Sequence, residues 1–544
     1  MASLFSCFLG LYFLLLSLYF SQISRAEESS KSSSIVEEGT LYIVRFSSIA
    51  KIDEDFICAT LDWWPSNKCD YGTCSWGNAS LLNLDLSNNV LLNAIRAFSP
   101  LKIRLGGTLQ DKLIYQTVHD EQPCTPFLYN KTEMFDFTQG CLPLSRWDEL
   151  NEFFKKTGAK ITFGLNALNG KTIDPDGSAF GDWDSSNAMS FIRYTVSRGY
   201  TIHGWELGNE LNGNGIGAAI SAEQYSCDVI ALHKLVQEIY KGKDVMPLIL
   251  APGGIFDAVW FAKFIDKASS SLQVVTHHIY SVGAGNDSNL VQQILDPSHL
   301  DEEAEKLRNL QGILRNIGTS AVAWVGESGG VFNSGRDRVS NSFVSSFWYL
   351  DQLGMSATFD TKTYCRQTLV GGNYGLLNTT TFHPNPDYYG ALLWHRLMGR
   401  NVLSTRFHGT TKLRAYGHCS KSSDGIALLL INMHGRTTVH TSLSDTLANT
   451  NESPLLQVTN DENRRHKIER EEYHLTAKNG DLHSQTVLLN GKELNVDHFG
   501  RIPSLEPIRV NSSYPIAIAP LSIVFVHIPT IQVSACSMST REYM

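Results

Sequence analysis

The feature that most constrains the fold is an alternation of short apolar runs with helix-length stretches through residues 51–400. The runs are rich in β-branched and aromatic residues, and amphipathic stretches such as residues 145–156 and 302–317 separate them. The eight runs are residues 56–64, 101–107, 160–168, 201–210, 246–254, 272–280, 321–330 and 356–364. Eight strand–helix units predict an α/β fold, a (β/α)8 TIM barrel, and a doubly wound open sheet is the alternative.

The pattern changes after residue 400. Short apolar runs continue, but turn-rich segments separate them and no convincing helix follows. This pattern predicts that residues 401–544 form an antiparallel β-sandwich domain. The segment 27–50 contains the strand-like run "GTLYIVRF" and is expected to add a strand to that sandwich.

The N-terminal segment has the features of a secretory signal. Residues 4–20 carry no charge, a polar stretch follows, and Ser24 and Ala26 are placed like a small-x-small cleavage site. These features predict a signal peptide over residues 1–26, and an uncleaved membrane anchor is the alternative. No later segment is long and apolar enough to span a membrane, so we expect no transmembrane segment in the mature chain. The expected location is the extracellular matrix or cell wall, with the lysosome or vacuole, or a membrane-associated form, as alternatives.

Six glycosylation sequons of the form N-x-S/T follow this segment. The asparagines are Asn78, Asn130, Asn286, Asn378, Asn451 and Asn511. Several sequons behind a secretory signal predict a glycoprotein with these asparagines at its surface.

Charge and cysteine spacing argue against several classes of partner. The formal net charge of −9 is spread without a long basic block, so nucleic acid is not an expected partner. No pair of cysteines or Cys/His set has the spacing of a zinc site, and we expect no metal and no cofactor. Gly213-x-Gly215-x-x-Ala218 formally matches a dinucleotide fingerprint, but so short a glycine pattern is weak. Cys7 lies in the apolar segment and leaves an odd number of cysteines, so at least one is not paired within the chain.

Two glutamates stand where a barrel enzyme places its catalytic groups, at the carboxyl ends of strands. Glu210 ends the fourth run and Glu327 ends the seventh, whereas Glu206 lies inside its strand and is expected to be structural. In a retaining glycosidase, one such carboxyl protonates the leaving oxygen and the other attacks the anomeric carbon. Trp63 and Trp64 at the end of the first run are of a type that suits sugar faces.

The segments "KIRLGGT", "WELGNELN", "THHIY", "GESGG", "GGNYGLL" and "AYGHC…SAC" together resemble heparanases and the plant heparanase-like proteins of glycoside hydrolase family 79. The resemblance extends from about residue 40 to residue 536. It implies a retaining β-glucuronidase in which Glu210 is the acid/base and Glu327 the nucleophile. It also implies a disulfide between Cys419 and Cys536.

The resemblance assigns binding roles as well. Asn209 would bond the hydroxyl beside the anomeric carbon, Asp62 and Thr108 would line the sugar subsite, and Tyr374 would hold the glucuronate carboxylate. From the residues themselves, Arg104 is expected to keep Glu327 ionised. At least one residue of the pair "HH" at 277–278, with His277 as the candidate, is expected to contact the substrate.

The chain departs from the animal heparanase pattern in three places. Phe332-Asn333-Ser334-Gly335 stands where those proteins have a tyrosine and a run of glycines. Ile279 takes the family's tyrosine position, and Tyr280, one residue on, is expected to face the other way. Residues 109–143 are too short to hold the spacer that animal heparanases excise, so we expect activity as a single chain.

The expected substrates are proteoglycans, arabinogalactan-type glycans or small glucuronides. Two alternatives remain at this point: a non-catalytic glycan-binding relative and a β-glycosidase for a neutral sugar. The pair of Glu210 and Glu327 argues against the first alternative, and Phe332 keeps the second open.

Overall fold

The computed structural model describes residues 35–117, 123–213, 217–445 and 469–537. The predicted signal peptide, residues 1–26, lies outside these residues, as do Asn451 and Gly215.

The strands are numbered in chain order. The first sixteen are β1 Ile35–Lys51, β2 Ile57–Asp62, β3 Lys102–Gly106, β4 Leu113–Tyr115, β5 Gly140–Leu142, β6 Lys160–Leu165, β7 Thr172–Ile173, β8 Ser178–Phe180, β9 Gly204–Leu207, β10 Ala219–Ile220, β11 Leu248–Ile255, β12 Val274–Ile279, β13 Gly283–Ala284, β14 Val322–Ser328, β15 Val331–Phe332 and β16 Thr363–Arg366. The remaining ten are β17 Met398–His408, β18 Leu413–Ser420, β19 Ile426–Asn432, β20 Thr437–Asp445, β21 Glu469–Ala477, β22 Val487–Leu489, β23 Lys492–Glu493, β24 Ile508–Asn511, β25 Ile516–Ile518 and β26 Ser522–Ile528.

The helices are numbered in the same way. They are α1 Asn89–Arg96, α2 Leu144–Thr157, α3 Ser186–Ser197, α4 Ala222–Ile239, α5 Ala258–Ala268, α6 Leu290–Ile294, α7 Pro297–Asp301, α8 Glu303–Ile317, α9 Phe343–Thr358, α10 Pro386–Leu397 and α11 Ser534–Ser537. Short 3₁₀ turns occur at Thr108–Lys112, Met134–Asp136 and Lys478–Gly480.

Eight parallel strands close into a barrel in the order β2, β3, β6, β9, β11, β12, β14 and β16. Closure is completed by β16, which pairs in parallel with β2, so the predicted TIM barrel is confirmed and the open sheet is excluded. Every residue of β2 and β3 is buried, as expected for strands covered on both faces by helices and by the barrel interior.

One of the eight predicted runs is misplaced. The run at 356–364 begins inside α9, which continues to Thr358, and β16 begins only at Thr363. The helix is buried on almost all of its faces, so its sequence shows no clear helical period of apolar and polar residues. A short continuous apolar run does not distinguish a buried helix from a buried strand.

The C-terminal domain is rich in strands, as predicted, and its strands form one extended sheet. Along the sheet the order is β23, β22, β21, β26, β19, β18, β17, β1, β20 and β25, and β24 pairs with β21. The strand that precedes the barrel, β1, pairs antiparallel with β17 and parallel with β20. The segment before the barrel is therefore a strand of the C-terminal sheet.

Alternation along β19 shows where the two cores lie. Ala427 and Leu429 belong to the large core that includes the barrel, whereas Leu428 and Leu430 belong to a second, smaller core. The smaller core contains residues of β1, β17, β18, β19, β20, β25 and β26 and of the helix α11. The sheet therefore curves around it. One face of the sheet thus attaches the domain to the barrel.

The structure contains the disulfide between Cys419 and Cys536 that the resemblance implied. Three further disulfides join Cys58 to Cys365, Cys69 to Cys74, and Cys124 to Cys141. Among the described residues, Cys227 is the cysteine left unpaired, in agreement with the odd count.

The sequon asparagines that the structure describes all reach the surface to some extent. Asn78 and Asn286 are exposed, and Asn130, Asn378 and Asn511 are half-buried. Across the described ranges, none of the helices has the length and apolar character that crossing a membrane requires.

Candidate active site

A cavity of about 1300 Å³ opens at the carboxyl ends of the barrel strands. Five of the residues singled out in the sequence line it: Asp62, Thr108, Glu210, Glu327 and Tyr374. They come from the ends of different strands and from the loops that follow them, as is usual for a TIM barrel.

Glu210 and Glu327 face each other across this cavity. A carboxylate oxygen of Glu210, one of Glu327 and a ring nitrogen of His278 all lie within 4.8 Å of one another. Glu327 is part of β14, whereas Glu210 follows β9 in a left-handed conformation with φ of 56°. Such a φ is uncommon for a residue with a side chain. The Glu210 backbone N–H donates to Gly253 O at 2.7 Å and so fixes this turn.

Arg104 is the buried cation of the site. Its Nε donates to Glu206 Oε2 at 2.5 Å, its Nη1 to Glu327 Oε2 at 2.8 Å, and its Nη2 to Asn209 Oδ1 at 2.9 Å. Burial alone would disfavour the charge, but Glu206 and Glu327 raise the pKa of Arg104 above its usual range. The guanidinium therefore stays charged and holds three side chains from two other strand ends.

Glu206 belongs to this support and not to the open cavity. Its side chain is fully buried, and its second oxygen, Oε1, accepts from Thr276 Oγ1 at 2.8 Å. Both carboxylate oxygens thus have donors, which is what a buried carboxylate requires. The two acidic residues in "WELGNE" therefore have different surroundings, since only Glu210 reaches the cavity.

Asp111 holds the backbone beside Glu210, and no pattern in the sequence singles it out. Its Oδ2 accepts from the Asn209 N–H at 2.8 Å, and its Oδ1 accepts from the Ala167 N–H at 2.8 Å. Burial raises the pKa of Asp111 to about 7, although these backbone donors oppose the shift. Asp111 links the loops that follow three neighbouring strands.

His278 and Tyr280 contact the two glutamates. His278 Nδ1 lies 2.8 Å from Glu210 Oε1, and the Tyr280 hydroxyl donates to Glu327 Oε1 at 2.5 Å. The expectation that Tyr280 faces away is therefore wrong. The residue shares one face of the strand with His278 and Thr276, each two positions apart, as the strand period requires.

His277 points to the other side of β12. It is buried, does not line the cavity, and packs near Phe256 with ring centroids 6.5 Å apart. Burial, with a smaller contribution from His278, lowers the pKa of His277 to about 3, so the ring is neutral. The structure thus brings His278, and not His277, to the site.

Asp62, Gln367 and Tyr374 form a second polar group in the cavity. Gln367 Nε2 donates to Asp62 Oδ2 at 3.0 Å and to the Tyr374 hydroxyl at 3.4 Å. The other oxygen of Asp62, Oδ1, is buried and has no hydrogen-bond partner among the described residues. Burial and the nearby charge of Glu327 raise the pKa of Asp62 well above its usual range. A carboxyl with an unused oxygen can bond a substrate hydroxyl.

The turn at Asn333 to Gly335 forms another part of the wall. Asn333, Ser334 and Gly335 have φ values of 56°, 64° and 69°. Ser334 Oγ accepts from Trp76 Nε1 at 2.9 Å, and the ring of Trp76 packs edge-on against Tyr374 with centroids 6.1 Å apart. Two tryptophans had been considered for sugar contacts. Trp64 lines the cavity, but Trp63 is fully buried and does not.

Among the described residues, Glu210, His278 and Glu327 form the one group close enough to share a metal ion. Their contacts fit a proton-transfer site better. Both oxygens of Glu327 already accept hydrogen bonds, from Tyr280 and Arg104, and His278 bonds to Glu210. A cation at this position would have to compete with the Arg104 guanidinium for Glu327.

Comparison with known proteins gives the family. The family model for the N-terminal domain of glycosyl hydrolase family 79 matches residues 38–354. This chain belongs to glycoside hydrolase family 79. The resemblance seen in the sequence is therefore confirmed, and this protein is a glycosidase.

Two curated relatives of this family-79 protein cover nearly its whole length. Heparanase-like protein 3 of Arabidopsis thaliana is 55% identical over 513 residues, which are 93% of this chain and 96% of that protein. Baicalin-beta-D-glucuronidase of Scutellaria baicalensis is 48% identical over 510 residues, which are 91% of this chain and 93% of that protein. Among solved structures, a GH51 arabinofuranosidase from Xanthomonas axonopodis pv. citri superposes with a TM-score of 0.63 at 14% identity, over 91% of this chain and all of that one. At that identity the superposition supports the fold alone.

Proposed function

We propose that this protein is a retaining β-glucuronidase. It would cleave β-glucuronidic bonds in proteoglycans, arabinogalactan-type glycans or small glucuronides. The observation that carries the proposal is the pair of Glu210 and Glu327, whose carboxylate oxygens approach within 4.8 Å across the cavity. Retaining glycosidases hold their two carboxyl groups about 5–5.5 Å apart, whereas inverting enzymes need about 6.5–9.5 Å to admit a water molecule.

Glu327 has the surroundings of a nucleophile. Arg104 and Tyr280 each donate to one of its oxygens, and together they fix the orientation of the carboxylate. The carboxylate attacks the anomeric carbon and forms a covalent glycosyl-enzyme. Arg104 also bonds Asn209 and Glu206, so the same cation sets the position of Glu327 relative to the loop that carries Glu210.

Glu210 has the surroundings of the acid/base. It lies at the open cavity, partly exposed, and its Oε1 is bonded to His278. In the first step Glu210 gives a proton to the leaving oxygen. In the second step it takes a proton from the water that hydrolyses the glycosyl-enzyme.

The remaining side chains of the cavity are suited to hold the sugar. Asp62 presents an oxygen without a partner among the described residues, and Thr108 lines the cavity, whereas Asn209 is buried outside the lining, where Arg104 fixes its side chain. Tyr374 and the backbone N–H groups of the turn from Asn333 would bond the glucuronate carboxylate. The relatives named as a glucuronidase and as a heparanase-like protein support a glucuronide as the substrate class.

Secretion is part of the proposal. The disulfides within the described residues, together with sequon asparagines at the surface, are typical of a glycoprotein of the secretory pathway. We propose the extracellular matrix or cell wall as its location, with the vacuole or lysosome, or a membrane-associated form, as the alternatives.

The test is hydrolysis of p-nitrophenyl β-D-glucuronide, with proton NMR of the anomer that forms first. We expect the β-anomer, because two displacements restore the configuration. Glu327→Gln should abolish turnover. Glu210→Ala should lose most turnover but form the β-glucuronosyl azide when azide is added.

The matched control is Glu303→Gln. Glu303 is a buried glutamate on α8 that pairs with Lys306 and does not line the cavity. This variant should keep full activity. An α-anomer as the first product, or a Glu327→Gln variant as active as the control, would refute the retaining mechanism.

One observation favours a second candidate, a β-glycosidase for a neutral sugar. Phe332 lines the cavity with 39% of its surface exposed, and its ring offers no donor to a carboxylate. Equal catalytic efficiency on the β-glucoside and the β-glucuronide would support this candidate and contradict the proposed specificity.

A further inference from the structure

Beyond Glu210 the cavity has an apolar wall that the proposed reaction does not use. Phe180, Ile255 and Val259 line it and are exposed by 48%, 49% and 67%. Exposed apolar side chains that cluster in a concave site indicate ligand binding, whereas single ones on a convex surface do not.

The wall is built on three elements next to the acid/base. Phe180 ends β8, Ile255 ends β11, and Val259 lies in the first turn of α5. Trp260 Nε1 donates to Ile220 O at 3.1 Å, which joins α5 to the small sheet that contains β8. The wall is therefore one surface and not three separate side chains.

A side-chain bond also ties the wall to the loop of the acid/base. Asn212, two residues after Glu210, donates through Nδ2 to Ile255 O at 2.7 Å. Behind the wall, the Trp260 ring packs on Tyr225 and Phe264 with centroids 5.5 Å and 5.2 Å away. The wall thus has a fixed position relative to Glu210.

The order of the strands shows which part of the substrate this wall meets. On one side of the barrel mouth, Glu327 belongs to β14, Gln367 follows β16, and Asp62 ends β2. The wall comes from β11 and from segments that follow β6 and β11 on the other side, and Glu210 follows β9, which lies between β6 and β11 on that same side. Because the acid/base faces the leaving oxygen, the space beyond Glu210 receives the leaving group.

Two of the polar side chains in this part of the cavity, Asp257 and Gln224, are already bonded within the protein, whereas Glu223 and Lys263 are exposed. Asp257 Oδ1 accepts from the Trp260 N–H at 2.7 Å and caps α5. Gln224 Nε2 donates to Asp228 Oδ1 at 3.0 Å. A second sugar would need partners for several hydroxyls, whereas a flat apolar group needs only contact area.

We infer that Phe180, Ile255 and Val259 form the leaving-group subsite and that it takes a flat, apolar, aromatic aglycone in preference to a second sugar. This inference rests on the proposed function, since it assigns a substrate class to the same site. The small glucuronides of aromatic alcohols are then the favoured substrates among those that the proposed function allows.

The test compares three β-glucuronides: the 2-naphthyl glucuronide, a glucuronosyl-galactose disaccharide, and β-glucuronosyl fluoride, which has no aglycone. The unmodified protein should have a higher kcat/KM for the naphthyl substrate than for the disaccharide. The double variant Phe180→Ser with Val259→Ser should raise KM for the naphthyl substrate roughly tenfold, because aromatic contact area is lost. The loss of kcat/KM that the double variant shows on the fluoride should be much smaller.

Phe499→Ser is the matched control. Phe499 is 57% exposed and lies outside the cavity, so its replacement should leave kcat/KM unchanged on both the naphthyl glucuronide and the fluoride. The inference alone would be overturned by a higher kcat/KM on the disaccharide than on the naphthyl glucuronide. It would also be overturned if the double variant lost kcat/KM equally on the naphthyl glucuronide and on the fluoride. No turnover of the fluoride or the naphthyl glucuronide by the unmodified protein would overturn the proposed function, and the inference with it.

Discussion

Replacement of Tyr280 by Phe would test how the site holds the Glu327 carboxylate. The Tyr280 hydroxyl donates to Glu327 Oε1 at 2.5 Å, while Arg104 donates to Oε2 of the same carboxylate at 2.8 Å. A separation of about 2.5–2.7 Å is typical of a hydroxyl donor on an ionised carboxylate. Phe keeps the ring, so the variant loses one hydrogen bond and little packing.

The expected magnitude follows from the strength of that bond. A hydrogen bond to a charged group contributes about 1.5–3 kcal/mol. The donor fixes Oε1 of the attacking carboxylate and stabilises the charge that returns to Glu327 when the glycosyl-enzyme is hydrolysed, so its removal should slow turnover. At about 1.4 kcal/mol per tenfold change in rate, kcat should fall by about 10- to 150-fold.

The assay is kcat for p-nitrophenyl β-D-glucuronide at fixed pH. Tyr388→Phe is the matched control, since the buried Tyr388 hydroxyl donates to Ala94 O at 2.8 Å and Tyr388 does not line the cavity. The control should leave kcat unchanged. A kcat of Tyr280→Phe equal to that of the control would refute the reasoning.

Three further predictions concern the rest of the site and the chain. Tyr374→Phe should narrow the preference for aryl β-glucuronides over β-glucosides by roughly 1.5–3 kcal/mol, because a charge-assisted bond to the carboxylate is lost; an unchanged ratio of kcat/KM would contradict this. Asp111→Asn should lower kcat more than it raises KM, because the Asn209 or the Ala167 N–H loses its acceptor and the loop before Glu210 shifts; equal activity of variant and unmodified protein would remove this role. The purified uncut chain should be active, since residues 110–143 hold the short pair β4 and β5 and a disulfide from Cys124 to Cys141; activity that appears only after cleavage in this segment would contradict it.

The barrel could be predicted because parallel strands are buried on both faces and appear as continuous apolar runs. Seven of the eight runs overlap the barrel strands closely, for example 160–168 with Lys160–Leu165. The same property explains the one misplaced run, since α9 is also buried on almost all of its faces. Glu210 and Glu327 were found because the carboxyl ends of barrel strands are a defined place to look.

Asp111 could not be found in this way. It lies in the 3₁₀ turn Thr108–Lys112, where an aspartate has many ordinary roles. Its two partners are backbone N–H groups of Ala167 and Asn209, in loops that are distant in the sequence. Backbone donors carry no residue type, so no pattern of side chains indicates such a contact.

The strand face that carries Tyr280 and His278 could be predicted from the sequence. The wrong expectation for Tyr280 came from its offset from the family's tyrosine position and not from the strand period. Because Ile279 takes the family's tyrosine position, the prediction turns Tyr280 to the opposite face. Thr276, His278 and Tyr280 are spaced by two residues and share the inward face, and His277 lies between them on the outer face. The strand period alone would have grouped them correctly.

Glu327 reaches the cavity only because β14 breaks that period. Trp324 clusters with Leu250 and Val274 of the two preceding barrel strands, so strict alternation would turn residue 326 inward and Glu327 outward. The register instead shifts: Val325 pairs with His277 but Glu327 pairs with His278, which leaves Gly326 unpaired as a bulge.

The glycine is what the bulge requires at this point. A Cβ on residue 326 would lie 3.1 Å from Thr276 Cβ, tighter than an ordinary contact. Thr276 is also the residue whose hydroxyl bonds Glu206, the partner of Arg104. An isolated glycine inside a strand-like run is a sequence sign of a bulge. The glycine of "WVGES" therefore changes which face of the strand carries Glu327, and it leaves room for the hydroxyl that anchors the carboxylate behind it.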